Sequence, residues 1–243
     1  MVRTVVFAAL CAPLILVGCS SGEEDSAAWG LVAPDEPAKD LPIPEGSLCP
    51  ELEGLSEDPD LVFIGDSMLA WNRSQCSQAA GWTSLYTDQA LTDLSTTSSL
   101  MTNPSSDSPE EDITASYDYA RELLPGLKTV IVNGGANDLF VETDNEQVGE
   151  DIKHLLGTML DDGIKKIIYV RYYEFTLVPL MNPRVDSVMD GPDGVEGFCS
   201  RNGIVYIDLR PVFSGHPEFF YEGIHPSRLG SREIAVQLLE HLR

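Results

Sequence analysis

Apolar residues recur along the chain in runs that have the length and composition of buried β-strands. Four runs stand out, at residues 61–65, 129–133, 166–172 and 204–209, and a weaker one lies at residues 90–95. Each of the four runs is nearly continuous in apolar residues. Strands of that kind are typical of parallel sheets whose two faces are both covered.

The segments between these runs have the 3.6-residue spacing of amphipathic helices. Apolar residues recur at positions 113, 117, 120 and 124, at 148, 152, 155, 156 and 159, and at 234, 235, 238, 239 and 242. Alternating strands and helices predict an α/β protein, a three-layer α/β/α sandwich around a mainly parallel sheet. Reactive side chains are then expected at the carboxyl ends of the strands.

The N-terminus has the organisation of a secretory signal. Residues 4–17 are almost wholly apolar after a short basic start, and the run is too short for a membrane span of about 20 residues. The sequence Leu16-Val17-Gly18-Cys19 resembles a bacterial lipoprotein box, which implies cleavage before Cys19 and acylation of that cysteine. The alternatives are an ordinary signal peptide with a chance cysteine and a single membrane anchor.

We therefore expect a lipoprotein signal peptide at residues 1–18, a flexible acidic tether at 19–48 and a folded domain at 49–243. The tether is rich in Ser, Gly, Pro, Asp and Glu. The predicted location is the bacterial cell envelope, with the protein held on a membrane by its lipid. Ser20, rather than an acidic residue, follows the cysteine and favours the outer membrane if the organism is Gram-negative.

The charge of the chain narrows the range of partners. The formal net charge is -24, from 39 acidic and 15 basic residues. Such a field repels polyanions, so nucleic acids and anionic lipid head groups are both disfavoured as partners. The charge is otherwise typical of a solvated acidic surface and does not indicate a substrate.

After removal of the predicted signal peptide, which contains Cys11, three cysteines remain besides Cys19, namely Cys49, Cys76 and Cys199. In an oxidising compartment two of them can pair, and all three pairings are open. They are too far apart in sequence for a short chelating motif, and no nearby histidine completes a ligand set. A zinc site is therefore not expected.

The first candidate for chemistry is the tripeptide Gly65-Asp66-Ser67, which closes the strand predicted at residues 61–65. Ser67 thus falls at the carboxyl end of a parallel strand, where a nucleophile is favoured. The same tripeptide is also common in ordinary turns. The four residues that follow are apolar, which is less typical of a surface turn.

The second candidate follows the strand predicted at residues 129–133. That strand leads into two glycines and then into Asn137 and Asp138. The side-chain amide of Asn137 is suited to donate a hydrogen bond to an oxyanion. The alternative is a helix-capping turn, for which Asn and Asp are also favoured.

The third candidate lies just before the last predicted helix, where Glu222 stands three residues ahead of His225. A carboxylate there can bond one imidazole nitrogen while the other nitrogen faces a serine. A serine hydroxyl is a weak nucleophile until an imidazole accepts its proton, so these residue types belong to one reaction. A histidine-proline pair by itself would be interpreted as a turn.

Together these blocks resemble the SGNH hydrolase superfamily, also called GDSL esterases and lipases. The first family block matches residues 65–67, the third block, Gly-x-Asn-Asp, matches residues 135–138, and the last block matches residues 222–226. The resemblance covers about residues 60–243, with the motifs in the family order. It implies a flavodoxin-like fold with a five-stranded sheet.

Two positions depart from the family pattern. The last block usually has aspartate where this chain has Glu222. The second block normally supplies a glycine whose backbone N–H joins the oxyanion hole, and by position after the weak strand Ser98 takes that place. A backbone N–H does not require glycine, so the resemblance implies that the hole is retained.

The resemblance implies a serine esterase that cleaves a carboxylic ester through an acyl-enzyme. Ser67 would attack the carbonyl, His225 would transfer the proton and Glu222 would orient the imidazole. The backbone N–H groups of Ser67 and Ser98 and the side chain of Asn137 would stabilise the oxyanion. No metal or organic cofactor is needed, and the substrate is a small-molecule or glycan ester. The alternative is a catalytically silent envelope lipoprotein that binds a glycan or acyl ligand.

Overall fold

The computed structural model describes residues 59–72, 77–87, 90–102 and 111–242. The signal peptide and tether predicted at residues 1–48 lie outside the described residues, as do Cys19, Cys49 and Cys76. None of the helices in the described ranges is long and apolar enough to cross a membrane. The structure therefore bears on the predicted folded domain and not on the predicted anchor.

The central feature of the fold is a five-stranded parallel sheet. In chain order the strands are β1 (Leu61–Ile64), β2 (Trp71–Asn72), β3 (Ser77–Gln78), β4 (Thr92–Asp93), β5 (Thr129–Val132), β6 (Lys166–Arg171), β7 (Val205–Asp208), β8 (Phe220–Tyr221) and β9 (His225–Pro226). The sheet has the order β4-β1-β5-β6-β7, and every neighbouring pair is parallel. Strands β2 and β3 form an antiparallel pair, and so do β8 and β9. The sheet order is that of flavodoxin-like folds, which confirms the predicted architecture.

Helices flank this sheet and complete the three layers. They are α1 (Ser67–Ala70), α2 (Ala79–Thr87), α3 (Ile113–Leu123), α4 (Ala136–Phe140), α5 (Asn145–Asp161), α6 (Asn182–Met189), α7 (Val195–Asn202), α8 (Arg210–Phe213) and α9 (Arg228–Leu242), with short 3-10 turns at Pro179–Met181 and Pro217–Phe219. Helices α3, α5 and α9 are the three that apolar spacing predicts. Aspartates at positions 112 and 144 cap the first turns of α3 and α5, as helix N-termini require.

The weak strand predicted at residues 90–95 is real but short. Only Thr92 and Asp93 pair with β1, opposite Val62 and Phe63. Beyond them the chain still follows β1, because the backbone N–H of Thr96 donates to the carbonyl of Gly65 at 2.9 Å. The loop that follows β4 is thereby brought to the carboxyl end of β1.

The core is built on the central strands. Every side chain of β1 is at most 2% exposed, which requires cover on both faces of the sheet. The same core extends past β6, where the ring of Tyr173 stacks on Phe213 with centroids 4.3 Å apart and meets Phe220 edge-on at 5.0 Å. This contact packs the segment after β6 against β8 and so fixes the β8–β9 hairpin on the sheet.

A buried cation closes the end of β6. Arg171 is 1% exposed, and its guanidinium contacts Asp186 and donates from Nε to Oδ1 of Asp190 at 3.1 Å. Arg210 bonds the same group of acids, reaching Oδ2 of Asp190 and Oδ2 of Asp208 at 2.7 Å each. Because a buried charge is tolerated only when it is paired, this network holds α6 and the end of β7 against β6.

Of the three cysteines whose pairing the sequence leaves open, the described residues include one. Cys199 is a free thiol in α7 and is fully buried. Burial raises the pKa of this thiol to about 12. Since the thiolate is the reactive form, burial and the raised pKa both disfavour reaction of Cys199 in the folded protein.

Candidate active site

Ser67 is the first residue of α1 and directly follows the turn at the end of β1. Asp66 caps this helix, and its Oδ1 accepts a hydrogen bond from the backbone N–H of Met68 at 2.9 Å. The side chain of Asp66 is 2% exposed, whereas Ser67 is half-buried. The turn therefore directs the aspartate into the protein and leaves the serine facing a cavity.

A reciprocal pair of hydrogen bonds joins the turn of Asp66 to the end of β5. The backbone N–H of Asp66 donates to Oδ1 of Asn133 at 3.2 Å, and Nδ2 of Asn133 donates to Oδ1 of Asp66 at 2.8 Å. Asn133 is fully buried. A Cβ atom at Gly65 would lie 2.0 Å from Oδ1 of Asn133, so the pair needs glycine at that position.

Tyr172 extends this pairing to the next strand. Its hydroxyl donates to Oδ2 of Asp66 and accepts the backbone N–H of Ala136 at 3.2 Å. Burial raises the pKa of Asp66, although hydrogen bonds from Tyr172, Met68 and Asn133 oppose that shift. Burial, with the nearby Asp66 charge, also raises the pKa of Tyr172 well above its usual value, so the phenol remains a donor.

Asn137 lies in the first turn of α4, just beyond β5. Gly135 supplies the positive φ of 101° that turns the chain into this helix. Nδ2 of Asn137 donates to the carbonyl of Ser99 at 3.0 Å, which leaves the second amide hydrogen available. The side chain that the sequence predicts as an oxyanion donor is thus tied to the loop after β4.

The neighbouring Asp138 strengthens the same connection. Its carboxylate oxygens accept the backbone N–H of Met101 at 3.1 and 3.0 Å. Burial raises the pKa of Asp138 to about 6, against the opposing effect of the Met101 hydrogen bond. Residues 137 and 138 therefore fix α4 to the loop that carries residues 98–101.

Ser98 lies at the tip of this loop and is exposed. Its φ of 67° is in the left-handed region, which side chains rarely adopt and glycine favours. The family pattern places a glycine in this block, and the backbone of Ser98 has the conformation that a glycine would provide. Its assignment as a backbone donor stays a prediction.

His225 is carried by the β8–β9 hairpin and is half-buried. The hydroxyl of Tyr173 donates to the carbonyl of Ile224 at 2.7 Å, and the backbone N–H of Thr176 donates to the carbonyl of Gly223 at 2.9 Å. On its other side the imidazole stacks on the indole of Trp71. The hairpin is therefore held both by the segment after β6 and by the residue that follows α1.

Glu222 occupies the turn of the same hairpin. It is exposed and has a positive φ of 60°. Nδ1 of His225 is buried, and in the described part of the chain no group forms a hydrogen bond with it. The structure thus brings Glu222 onto the hairpin of His225 but not into a bond with the imidazole, and its role in a triad stays a prediction.

Ser67, Asn137 and His225 line one cavity of about 250 Å³. Its remaining walls are largely apolar, formed by Met68, Phe140, Phe175 and Ile224. Burial in this setting lowers the pKa of His225 to about 4, so its imidazole is neutral at neutral pH. A hydroxyl, an amide and a neutral imidazole around a small apolar cavity are the groups that acyl transfer uses.

A comparison with protein-family models identifies the family of this chain. Residues 63–233 match the model of the GDSL-like lipase/acylhydrolase family. The chain belongs to this family. It is accordingly an ester-hydrolysing enzyme, and the resemblance of its motifs to the SGNH or GDSL hydrolases is confirmed. No curated protein shows significant sequence similarity to the chain.

Solved structures of GDSL-type proteins and esterases share the fold at low sequence identity. A carbohydrate acetylesterase from Sinorhizobium meliloti is 10% identical, with a TM-score of 0.59 over 76% of this chain and 98% of its own. An inhibitor-bound aryl esterase from M. smegmatis is 16% identical, with a TM-score of 0.58 over 76% and 98%. A lipase/acylhydrolase from Enterococcus faecalis is 15% identical, with a TM-score of 0.57 over 76% and 95%. These likenesses establish the fold of this GDSL-family enzyme.

Three residues of this GDSL-family site were not recognised from the sequence. Asn133 and Tyr172 stand at the carboxyl ends of two predicted parallel strands. That position is a sequence signal for a site residue. Trp71 follows Ser67 by four residues, one helical turn, which brings their side chains to one side of the chain. The sequence does not show which residue each of them bonds, since Asp66 lies 67 residues from Asn133 and 106 from Tyr172.

We predict that Gly65→Ala lowers the free energy of unfolding by about 3 kcal/mol or more and abolishes ester hydrolysis. The added methyl group displaces the Asn133 side chain, which leaves the buried amide without its partners at Asp66 and the buried Asp66 carboxylate without one of its donors. Urea denaturation and activity on a soluble ester measure the two effects.

The matched control is Gly157→Ala, because a Cβ at this position in α5 meets no atom within 4 Å. This variant should gain up to about 1 kcal/mol from helix propensity and retain full activity. Equal stability of the two variants would contradict the proposed packing at Gly65.

Proposed function

We propose that the protein is a serine esterase in which Ser67 is the nucleophile and His225 the general base. The observation that supports this most is that Ser67, Asn137 and His225 come from separate parts of the chain and line one cavity. The low pKa of His225 also fits the role, because a general base must be unprotonated when it accepts the serine proton.

The first step forms the acyl-enzyme. Oγ of Ser67 attacks the ester carbonyl carbon while its proton passes to Nε2 of His225, the ring nitrogen other than the buried Nδ1. The carbonyl oxygen becomes an oxyanion, which accepts hydrogen bonds from the N–H groups of Ser67 and Ser98 and from Nδ2 of Asn137. Collapse of this intermediate breaks the bond to the alcohol, and the imidazolium of His225 protonates the leaving oxygen.

The second step restores the enzyme. Water attacks the acyl carbon, and His225 takes one proton of that water as the new bond forms. The second oxyanion collapses with release of Oγ of Ser67, which regains its proton from His225. The products of this step are a carboxylic acid and the free enzyme. The proton transfers involve only Ser67, His225, the alcohol and water.

Glu222 is our candidate for the acid that orients His225. Nδ1 of His225 is buried without a hydrogen-bond partner among the described residues, and a buried polar atom normally has one. Glu222 is three residues away on the same hairpin. A change of the turn that moves its carboxylate to Nδ1 would provide the acceptor.

The substrate we propose is an ester with a short acyl group. A cavity of about 250 Å³ is below the usual size of about 300–1,000 Å³ for drug-sized ligands. Its apolar walls suit a small hydrocarbon group next to the reacting carbonyl. The alcohol part of the ester is a small molecule or a glycan, and assays on a series of esters would distinguish the two.

Replacing Ser67 with Ala should lower kcat by about a thousandfold to a millionfold while the fold is kept, because the nucleophile is lost. His225→Ala should have a similar effect. A fluorophosphonate probe should label Ser67 in the wild-type protein and leave Ser67→Ala unlabelled. Turnover is measured on acetyl and longer acyl esters in parallel.

His154→Ala is the matched control for the histidine change, since that residue lies exposed on α5. It should retain wild-type turnover. A folded wild-type protein that neither reacts with the probe nor hydrolyses any ester would instead favour the catalytically silent lipoprotein that binds a glycan or acyl ligand.

Replacing Glu222 with Gln should lower kcat and move the rising limb of the pH profile to lower pH. A paired carboxylate stabilises the imidazolium and raises its pKa, whereas burial alone lowers the pKa of His225 to about 4. Activity requires neutral His225, so kcat/KM rises with pH through this ionisation. Glu222→Asp should retain more activity than Glu222→Gln. Superimposable profiles for wild type and Gln would show that Glu222 only forms the turn.

We also propose that the enzyme is attached to a bacterial cell envelope through acylated Cys19. This proposal comes from the sequence alone, because residue 19 lies outside the described residues. The mass of the mature N-terminus should show a lipid on Cys19, and Cys19→Ala should be released from the membrane fraction. An unmodified Cys19 in the mature protein would refute the anchor without affecting the esterase proposal.

A further inference from the structure

The imidazole of His225 lies flat on the indole of Trp71. Their ring centroids are 3.4 Å apart, and the angle between the ring planes is 1°. Aromatic pairs in proteins more often have centroids about 4.5–7 Å apart, with the rings offset or tilted. One whole face of this imidazole is therefore covered by the indole.

The position of Trp71 in the chain couples this contact to the nucleophile. Ser67 begins α1, and Trp71 follows the last residue of that helix as its C-cap and as the first residue of β2. One helical turn thus carries both the serine and the ring that covers the histidine. Any movement of α1 would shift the two together relative to β9.

Among the described residues, the indole of Trp71 stacks on this imidazole, whose Nδ1 forms no hydrogen bond there. Nδ1 of His225 and Nε1 of Trp71 are both buried there without a hydrogen-bond partner. The backbone of the hairpin is fixed by Tyr173 and Thr176, but those bonds do not restrain rotation of the imidazole about its own side-chain bonds. The indole face does, because a rotated imidazole would clash with it.

The stacking also affects the pKa of His225, because it contributes to the burial of the imidazole. The titratable and charged groups on the elements packed around His225 are Asp66 at the start of α1, Tyr221 and Glu222 on the hairpin, and Arg228, Arg232, Glu233, Glu240 and His241 on α9. Tyr172, just after β6, lines the same cavity. Burial is the cause of the low pKa of His225. The indole contributes to that burial because it keeps water from one face of the ring.

We propose that Trp71 is a positioning residue for His225, which holds the imidazole plane in the orientation that proton transfer from Ser67 requires and keeps water off one ring face. The proposal rests on the proposed serine-esterase mechanism. It assigns Trp71 no contact with the substrate. It also does not depend on whether Glu222 binds Nδ1, since the indole covers a face of the ring and not its edge.

The test compares Trp71→Phe, which keeps an aromatic face, with Trp71→Leu, which does not. We expect Leu to lower kcat about tenfold to a hundredfold with little change in KM, since small misplacements of a reacting group have effects of that size. Phe should retain kcat within about threefold. Turnover is counted per fluorophosphonate-labelled site, so that a loss of folded protein does not enter the comparison.

The pH profile separates positioning from a merely structural role. In Trp71→Leu water reaches the imidazole, so the lowering of the His225 pKa by burial is relieved, the pKa should rise and the rising limb should move to higher pH. In Trp71→Phe the limb should stay near that of the wild type. A tryptophan that only stabilises the fold would leave both limbs unchanged.

Nuclear magnetic resonance of the full chain provides a readout without activity. The ring protons of His225, assigned with His225→Gln, should lie upfield in the wild type because of the indole ring current, and Trp71→Leu should remove that shift. His216, which stacks on Phe219 with centroids 4.7 Å apart, is the internal control and should not change.

The outcomes distinguish this inference from the proposed function. If Ser67 is labelled but Trp71→Leu keeps the wild-type kcat and pH limb, the positioning role is wrong and the esterase proposal stands. If Phe loses as much activity as Leu, an aromatic face is not what His225 needs, and the inference also fails. If wild-type Ser67 is not labelled, the proposed function itself is wrong.

Discussion

The side chain of Asn133 and the turn at Asp66 exchange two hydrogen bonds, and the rest of the site is arranged around that exchange. Both groups are buried, so neither can replace its partner with water, and an unpaired buried polar group costs about 1–3 kcal/mol. The ends of β1 and β5 must therefore stay in register. Ser67 follows one end and Asn137 follows the other, so a structural requirement fixes the distance between two of the proposed site residues.

The tyrosines of β6 and its continuation extend this constraint across the sheet. Tyr172 bonds Asp66 and the backbone of Ala136, while Tyr169 donates to the carbonyl of Gly134 at 2.9 Å. Tyr173 reaches the hairpin of His225 instead. Three neighbouring strands thus contribute to one polar layer below the cavity, and the hairpin is attached to the same layer.

Much of the fold could be predicted because the central strands are buried on both faces and therefore read as continuous apolar runs. Strand β4 was predicted too long, since only Thr92 and Asp93 pair before the chain bends toward residue 98. Helix α2 was missed because residues 79–83 are all buried, which leaves no apolar stripe for the spacing to reveal. Ser67, Asn137 and His225 could be proposed as site residues because each follows a recognisable element in a recognisable motif, and they line one cavity. Contacts between distant residues, such as the stack of Trp71 on His225, leave no local pattern.

The brevity of β4 also bears on how copies of this enzyme behave toward one another. It is an outer strand of the sheet, and only two of its residues belong to the ladder. An outer strand with many unpaired backbone groups is a template for the addition of another chain, whereas so short a strand offers few of them. The apolar β1 lies one position inward, between β4 and β5. Together with the mutual repulsion of chains that carry a net charge of -24, this arrangement disfavours edge-to-edge aggregation on that side of the sheet.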